Sequence, residues 1–224
     1  MQTCSFHLSA IALFLIAISS LPAHACFRNS RQLSALSERI LKHHGNQREK
    51  QQALVRAFKD SIPLLDKSLK PDVLQRIVGA VSIKNPFQGI EKNKKIIYHA
   101  IEEFHAVPGF LILISRILDG AISRNTANFS GALGELKAAV EKKKQRTKII
   151  AFNERVIDDA DGRTLTEIDL LTQDENGAQT WQEIKTRNKL RKKDPEILNI
   201  QRKKQRDLAR KAGAKHTFEL HCNG

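Results

Sequence analysis

The stretch TEIDLLTQDENGAQTWQEIKT, Thr166 to Thr186, constrains the fold more than any other part of the chain. Two runs that mix apolar and polar residues flank Asp174-Glu175-Asn176-Gly177-Ala178, and both runs read as short strands. A three-residue hairpin loop commonly joins a type I turn to a glycine in the left-handed conformation at its last position, and Glu175, Asn176 and Gly177 fit that pattern. The loop sets the register. Asp174 faces Ala178, counting outward brings Asp169 opposite Glu183, and Lys185 falls on the same face two residues on. Like charges directly opposite each other destabilise a ladder, so two carboxylates there need a reason. One reading is the solvated face of an antiparallel hairpin. The other is a divalent cation, which takes hard oxygen ligands and reverses the repulsion. Glu167 shares the face of Asp169 and reads as a rim residue. Trp181 shares it too, with core packing ranked ahead of stacking on a base.

The flanking segments extend the pattern. SGALGELKAAVEKKKQ, Ser130 to Gln145, reads as a helix carrying Glu135; TKIIAFNERV, RTLTEIDLLT and TWQEIKT read as three strands. DPEILNIQRKKQRDLARKAG reads as a helix opened by Asp194-Pro195 and closed near Gly213, and KHTFELH as a last strand. Asp169, followed by Glu183-Ile184-Lys185 on the next strand, resembles the active-site signature of the PD-(D/E)XK nuclease superfamily, with Ile168 where the family's name has Pro. Glu135 in its Gly-Glu-Leu context, Gln201 in the later helix and the succession helix, three strands, helix, strand are similar to that family as well. The resemblance implies a restriction-endonuclease-like αβββαβ core over residues 130–224. It also implies that Glu135, Asp169 and Glu183 hold Mg²⁺ or Mn²⁺, with the main-chain carbonyl of Ile184 as a further ligand. Lys185 would orient or deprotonate the attacking water, and Gln201 would position water or the backbone phosphate.

Charge points to the partner. The chain has 38 Lys plus Arg against 24 Asp plus Glu, a formal net charge of +14, which favours polyanions. The density is highest where the E-x-K strand ends: Arg187, Lys189, Arg191, Lys192, Lys193, Arg202, Lys203 and Lys204 face only Asp194, Glu196 and Asp207 between Lys185 and Lys211. Beside a carboxylate cluster, such a run reads as a nucleic-acid contact that neutralises phosphates; alone it would read as a solvated basic helix.

LSAIALFLIAISSL, Leu8 to Leu21, is too short for a confident membrane span and leads to Ala23-His24-Ala25, a small-residue cleavage pattern. Residues 1–25 therefore read as a signal peptide and the protein as exported, with a lipid anchor on Cys26 ranked below simple export. Cys26 and Cys222 would remain in the mature chain and could pair, and no Cys or His spacing resembles a zinc site. Residues 26–129 read as an α-helical domain. SALSERILKHH, REKQQALVRAFKDSIPLL, PDVLQRIVGAVS and NKKIIYHAIEEFH repeat apolar residues at helical steps, and GFLILISRILDGAI, the most apolar piece, reads as a central buried helix.

The expected protein is α+β or α/β: a helical N-terminal bundle followed by the nuclease-like core. The expected activity is metal-dependent hydrolysis of phosphodiester bonds, with DNA ahead of RNA as partner. Two rivals stand beside it: a nuclease-fold protein that binds nucleic acid without cutting, and an exported toxin or effector whose helical part serves delivery.

Overall fold

The computed structural model describes residues 47–65, 70–82, 89–186 and 195–221. The signal-like segment, the helix expected over Ser34 to His44, both Cys26 and Cys222, and the basic residues Arg187, Lys189, Arg191, Lys192 and Lys193 lie outside the described residues. Among those described, the protein is α+β, with six helices and a four-stranded mixed sheet. No helix among them is long and apolar enough to cross a membrane.

The chain divides into two compact units, one reaching to Ala106 with Ala121–Ser123, the other formed by Val107–Gly120 and Arg124–Gly224. The first contains α1 (Gln47–Leu65), α2 (Pro71–Ser82) and α3 (Gly89–Phe104). Pro71 opens α2, where a missing N–H is no loss because the first turn has no intrahelical acceptor for it. Leu74, Ile77, Val78 and Val81 recur at helical steps along α2 and are all buried. Polar side chains tie these helices together: Gln51 Nε2 donates to the carbonyl of Val81 at 3.1 Å, and the Tyr98 hydroxyl to that of Gln75 at 3.0 Å.

The second unit carries α4 (Phe110–Ser123) as far as Gly120, α5 (Thr126–Lys144), β1 (Lys148–Ile157), β2 (Thr164–Gln173), β3 (Gln179–Thr186), α6 (Pro195–Lys211) and β4 (Lys215–His221). Helix, three strands, helix, strand is the order expected from the sequence. The strands lie in the order β1-β2-β3-β4. The first three run antiparallel, whereas β4 is parallel to β3. A hairpin cannot join parallel neighbours, and α6 supplies the crossover they need.

The β2–β3 turn has the anticipated chemistry. Asp174 N–H donates to the carbonyl of Ala178 at 3.1 Å, Gly177 takes φ 84°, and Asp174 Oδ1 accepts from the N–H groups of Asn176 and Ala178 at 2.9 Å each. The ladder runs Gln173↔Gln179, Thr172↔Thr180, Leu171↔Trp181 and Leu170↔Gln182, the register counted from the turn. It ends one step short of Asp169 and Glu183. There the N–H of Ile184 goes to the Asp169 carboxylate at 2.7 Å.

The sheet unit begins earlier than the sequence boundary at residue 130, because α4 is packed and hydrogen-bonded to β1. The N–H of Phe152 donates to the carbonyl of Pro108 at 2.9 Å, and the rings of Phe110 and Phe152 lie 5.5 Å apart in a tilted arrangement. Gly109 makes the approach possible: with φ 76°, a Cβ there would sit 1.7 Å from the carbonyl oxygen of Phe152. Leu113, Ile114, Ile117 and Leu118 then bury the apolar face of α4 completely. On the other side of the sequence, Trp181 joins Ile168 and Ala209 in a small core where α6 meets the sheet, which is the packing role ranked first for it.

Candidate functional site

Two carboxylates and one ammonium meet where β2 and β3 separate. Lys185 Nζ lies 3.2 Å from Asp169 Oδ2 and 3.1 Å from Glu183 Oε1, with all three side chains largely buried. That bridge places the three on one face, as the turn register requires. Burial is the largest influence on Lys185 and would lower its pKa, but the charges of Asp169 and Glu183 and the hydrogen bonds to them outweigh it, so its pKa is raised. The cation that the facing carboxylates call for is thus supplied, in this arrangement, by the lysine two residues along.

Asp169 is anchored through one oxygen, Oδ2, which accepts from the main-chain N–H of Ile184 and from Lys185 Nζ. Glu183 is held differently. It is 2% exposed, and Lys185 Nζ, 3.1 Å from Oε1, is the cation it pairs with. Glu167 is exposed, as a rim residue would be.

Glu135 lies on the buried face of α5, itself 2% exposed, among Leu133, Leu136 and Ala139. Its carboxylate is taken by Arg116 of α4 through two parallel hydrogen bonds, Nη1 to Oε2 at 2.8 Å and Nη2 to Oε1 at 2.9 Å. This is the fork-to-fork geometry that makes Arg the favoured partner of a carboxylate. Arg116 Nη1 also donates to Asn153 Oδ1, and Asn153 occupies a left-handed backbone position, φ 51°, that asparagine tolerates better than most residues. Burial pushes the Arg116 pKa down, yet Glu135 by charge and hydrogen bond, and then Asp169 and Glu167, push it up further, and the net shift is upward.

The expected ligand set is therefore divided. Among the described residues, no three His, Cys, Asp or Glu side chains gather closely enough to hold a metal ion. Asp169 and Glu183 converge on Lys185, Glu135 is bound to Arg116, and Ile184 contributes its N–H to Asp169. The pair on the sheet still suits a hard cation. Its two carboxylates already face a single positive centre, and carboxylate oxygens are the hard ligands such a cation takes.

On α6, Gln201 is half-buried, and Gln205, one turn later, is buried and bonded to β2. Its Nε2 donates to Thr166 Oγ1 at 3.1 Å and to the carbonyl of Glu167 at 3.3 Å. Arg202 stacks on Phe218 of β4, its guanidinium carbon 3.5 Å from the ring centroid, while Lys203 and Lys204 are exposed. His216 of β4 pairs with Trp181; burial lowers its pKa, Arg206 and Arg202 act in the same direction, and Glu183 opposes them. Arg116, Gln205 and His216 are absent from the sequence reading. A signal existed for Gln205 alone, since Leu198, Gln205 and Ala209 recur at helical spacing and form the buried face of α6. No protein-family model, curated protein or solved structure matches this chain.

Proposed function

We propose that the protein is a metal-dependent nuclease of the PD-(D/E)XK type, hydrolysing phosphodiester bonds of nucleic acid, with DNA as the first substrate to test. The observation that carries this reading is the Lys185 ammonium held between Asp169 and Glu183 where two neighbouring strands diverge. Asp169 and Glu183 would hold Mg²⁺ or Mn²⁺ together with the Ile184 carbonyl, and Glu135 would join them once it exchanges Arg116 for the cation. The ion, when bound, supplies a water of lowered pKa and offsets the negative charge that builds on an already anionic phosphodiester.

The chain's own groups do the rest. Lys185, beside both carboxylates, would donate to the attacking water or to a phosphoryl oxygen and hold charge there. Arg116 is the second cation at the site and can pass from Glu135 to a phosphate, whose oxygens its guanidinium fork also binds in pairs. Lys203 and Lys204 lie exposed on α6 for contact with the backbone of the substrate.

The division of the carboxylates favours a second reading, in which the same fold binds nucleic acid without cutting it. Incubating the purified full chain with labelled DNA and RNA, in Mg²⁺, in Mn²⁺ and in chelator, separates the two. Cleavage that requires metal and disappears in Lys185→Ala supports the nuclease. Retention of labelled strands without cleavage under every condition supports the binder.

A further inference from the structure

Arg116 and Glu135 form a pair of unequal access. Glu135 is 2% exposed, whereas the Arg116 side chain is 33% exposed, so the cation is the member that solvent and solutes reach. A guanidinium carries five N–H donors in one plane, and three are committed here. Nη1 donates to Glu135 Oε2 and to Asn153 Oδ1, and Nη2 donates to Glu135 Oε1. The two that remain, on Nε and Nη2, lie side by side along another edge of the group and meet no acceptor among the described residues. That edge is a second fork, of the geometry that binds phosphate oxygens in pairs. A phosphate can therefore seat on Arg116 before Glu135 releases it.

Glu135 sets the opposite limit. Removing one partner of a buried pair leaves an uncompensated charge, which is strongly destabilising, so Arg116 leaves this carboxylate only when another cation arrives. Metal and nucleic acid then act on the pair from opposite sides: the ion replaces Arg116 on Glu135, and a phosphate replaces Glu135 on Arg116. Each ligand removes the competitor of the other, and linkage requires that they raise each other's affinity by one common factor. Asp169 acts on Arg116 through its charge, which puts the exchange beside the carboxylates of the sheet.

We infer that Arg116 and Glu135 form a latch that holds the site shut against metal in the free protein and opens when a divalent cation and a nucleic-acid phosphate are taken up together. The latch rests on the proposed metal-dependent reading, and it makes Arg116 a competitor of the metal as well as a partner of the substrate.

Calorimetric titration of the full chain with Mn²⁺, without nucleic acid, should give a dissociation constant lowered about fivefold or more in Arg116→Met, the low end of ordinary coupling between sites. A purely structural Arg116 would raise it, and equal or weaker binding by the folded variant overturns the latch. The gain should vanish when Glu135→Gln is present in both chains compared; a gain of the same size there would come from net charge alone and would also overturn it. Where Arg116→Met does not fold by thermal melt, Arg116→Lys takes its place, keeping the charge without the fork, and an Mn²⁺ affinity equal to wild type overturns the latch. Fluorescence anisotropy of a labelled phosphorothioate duplex, chosen to resist cleavage, reads the same coupling from the other side. Mn²⁺ should tighten its binding about fivefold more in wild type than in Arg116→Met, and an equal effect in both refutes the exchange. Wild type that binds no Mn²⁺, with or without the duplex, refutes the metal-dependent reading and the latch with it. Wild type that binds Mn²⁺ as tightly as folded Arg116→Met leaves that reading standing and removes the latch alone.

Discussion

Replacing Lys185 by Met keeps most of the stem and deletes the ammonium that separates Asp169 from Glu183. At an effective dielectric of about 20, the contacts at 3.2 and 3.1 Å are each worth roughly 5 kcal/mol of attraction. Taking the three charges out of water costs several kcal/mol apiece, so the intact cluster is close to neutral in net stability. Truncation removes only the attraction. The two carboxylates stay buried and now repel, and losing one partner of such a pair costs about 3–5 kcal/mol. For a chain of this size each kcal/mol moves the melt by about 2–4 °C, so Lys185→Met should melt roughly 6–20 °C below wild type at pH 7 in chelator. Saturating Mn²⁺ should narrow the gap, because the ion enters a site no longer held by the ammonium; a 100-fold excess over Kd adds about 2.7 kcal/mol. The pH dependence has a definite sign. A raised Lys185 pKa means its contribution is complete below the ordinary 10.5 and is lost as pH climbs through the higher folded value, so wild type should lose stability there and the variant should not. Differential scanning fluorimetry across pH, with and without Mn²⁺, reads all of this. A Lys185→Met melt within about 2 °C of wild type in chelator would show that the three groups do not form the cluster described.

Arg116→Met should cost about 3 kcal/mol by urea denaturation, the low end for a broken buried pair because the Arg116 side chain is 33% exposed, and Glu135→Gln in the same background should recover part of it. Gly109→Ala should be far more damaging than Gly177→Ala by the same assay: the first drives a methyl to 1.7 Å from the carbonyl of Phe152, whereas the second meets only Gln173 Nε2 at an ordinary 3.8 Å and adds the roughly 1 kcal/mol of a left-handed backbone. Lys203→Ala with Lys204→Ala should weaken DNA binding alike for all sequences, and the plot of log affinity against log salt should flatten by about one unit per lost phosphate contact; an unchanged slope would place both side chains in bulk solvent.

What could be read in the sequence was what depends on neighbours along the chain. Gly177 and Asp174 determine the turn, the turn determines the register, and the register carries Asp169, Glu183 and Lys185 to one face without knowledge of any other element. The described boundaries of α2 and β4 coincide with the segments expected, because Pro71 and the glycine before β4, Gly213, punctuate the chain locally. Arg116 was beyond reach for the opposite reason. It interrupts an apolar helix, and its meaning comes from the docking of α4 against α5 and β1. The same docking moves Val107–Gly120 into the sheet unit and takes Glu135 away from the other two carboxylates. His216 needed the parallel pairing of β4 with β3, which no local pattern encodes.

The crossover through α6 also separates the site in time. Strands β1, β2 and β3 follow one another through short connections, so their contacts close small loops and form early. Pairing of β4 waits until α6 has been made and has laid down its buried face. On a ribosome, where the N-terminal parts are released first, Asp169, Glu183 and Lys185 emerge together on one hairpin while Gln205 and His216 are still to come. During that interval Glu183 has water on the side that Gln205 and His216 later enclose, and the charge cluster is screened as it would be in an unfolded peptide. A product that stops before β4 would therefore carry the signature residues without the side of the enclosure that Gln205 and His216 supply.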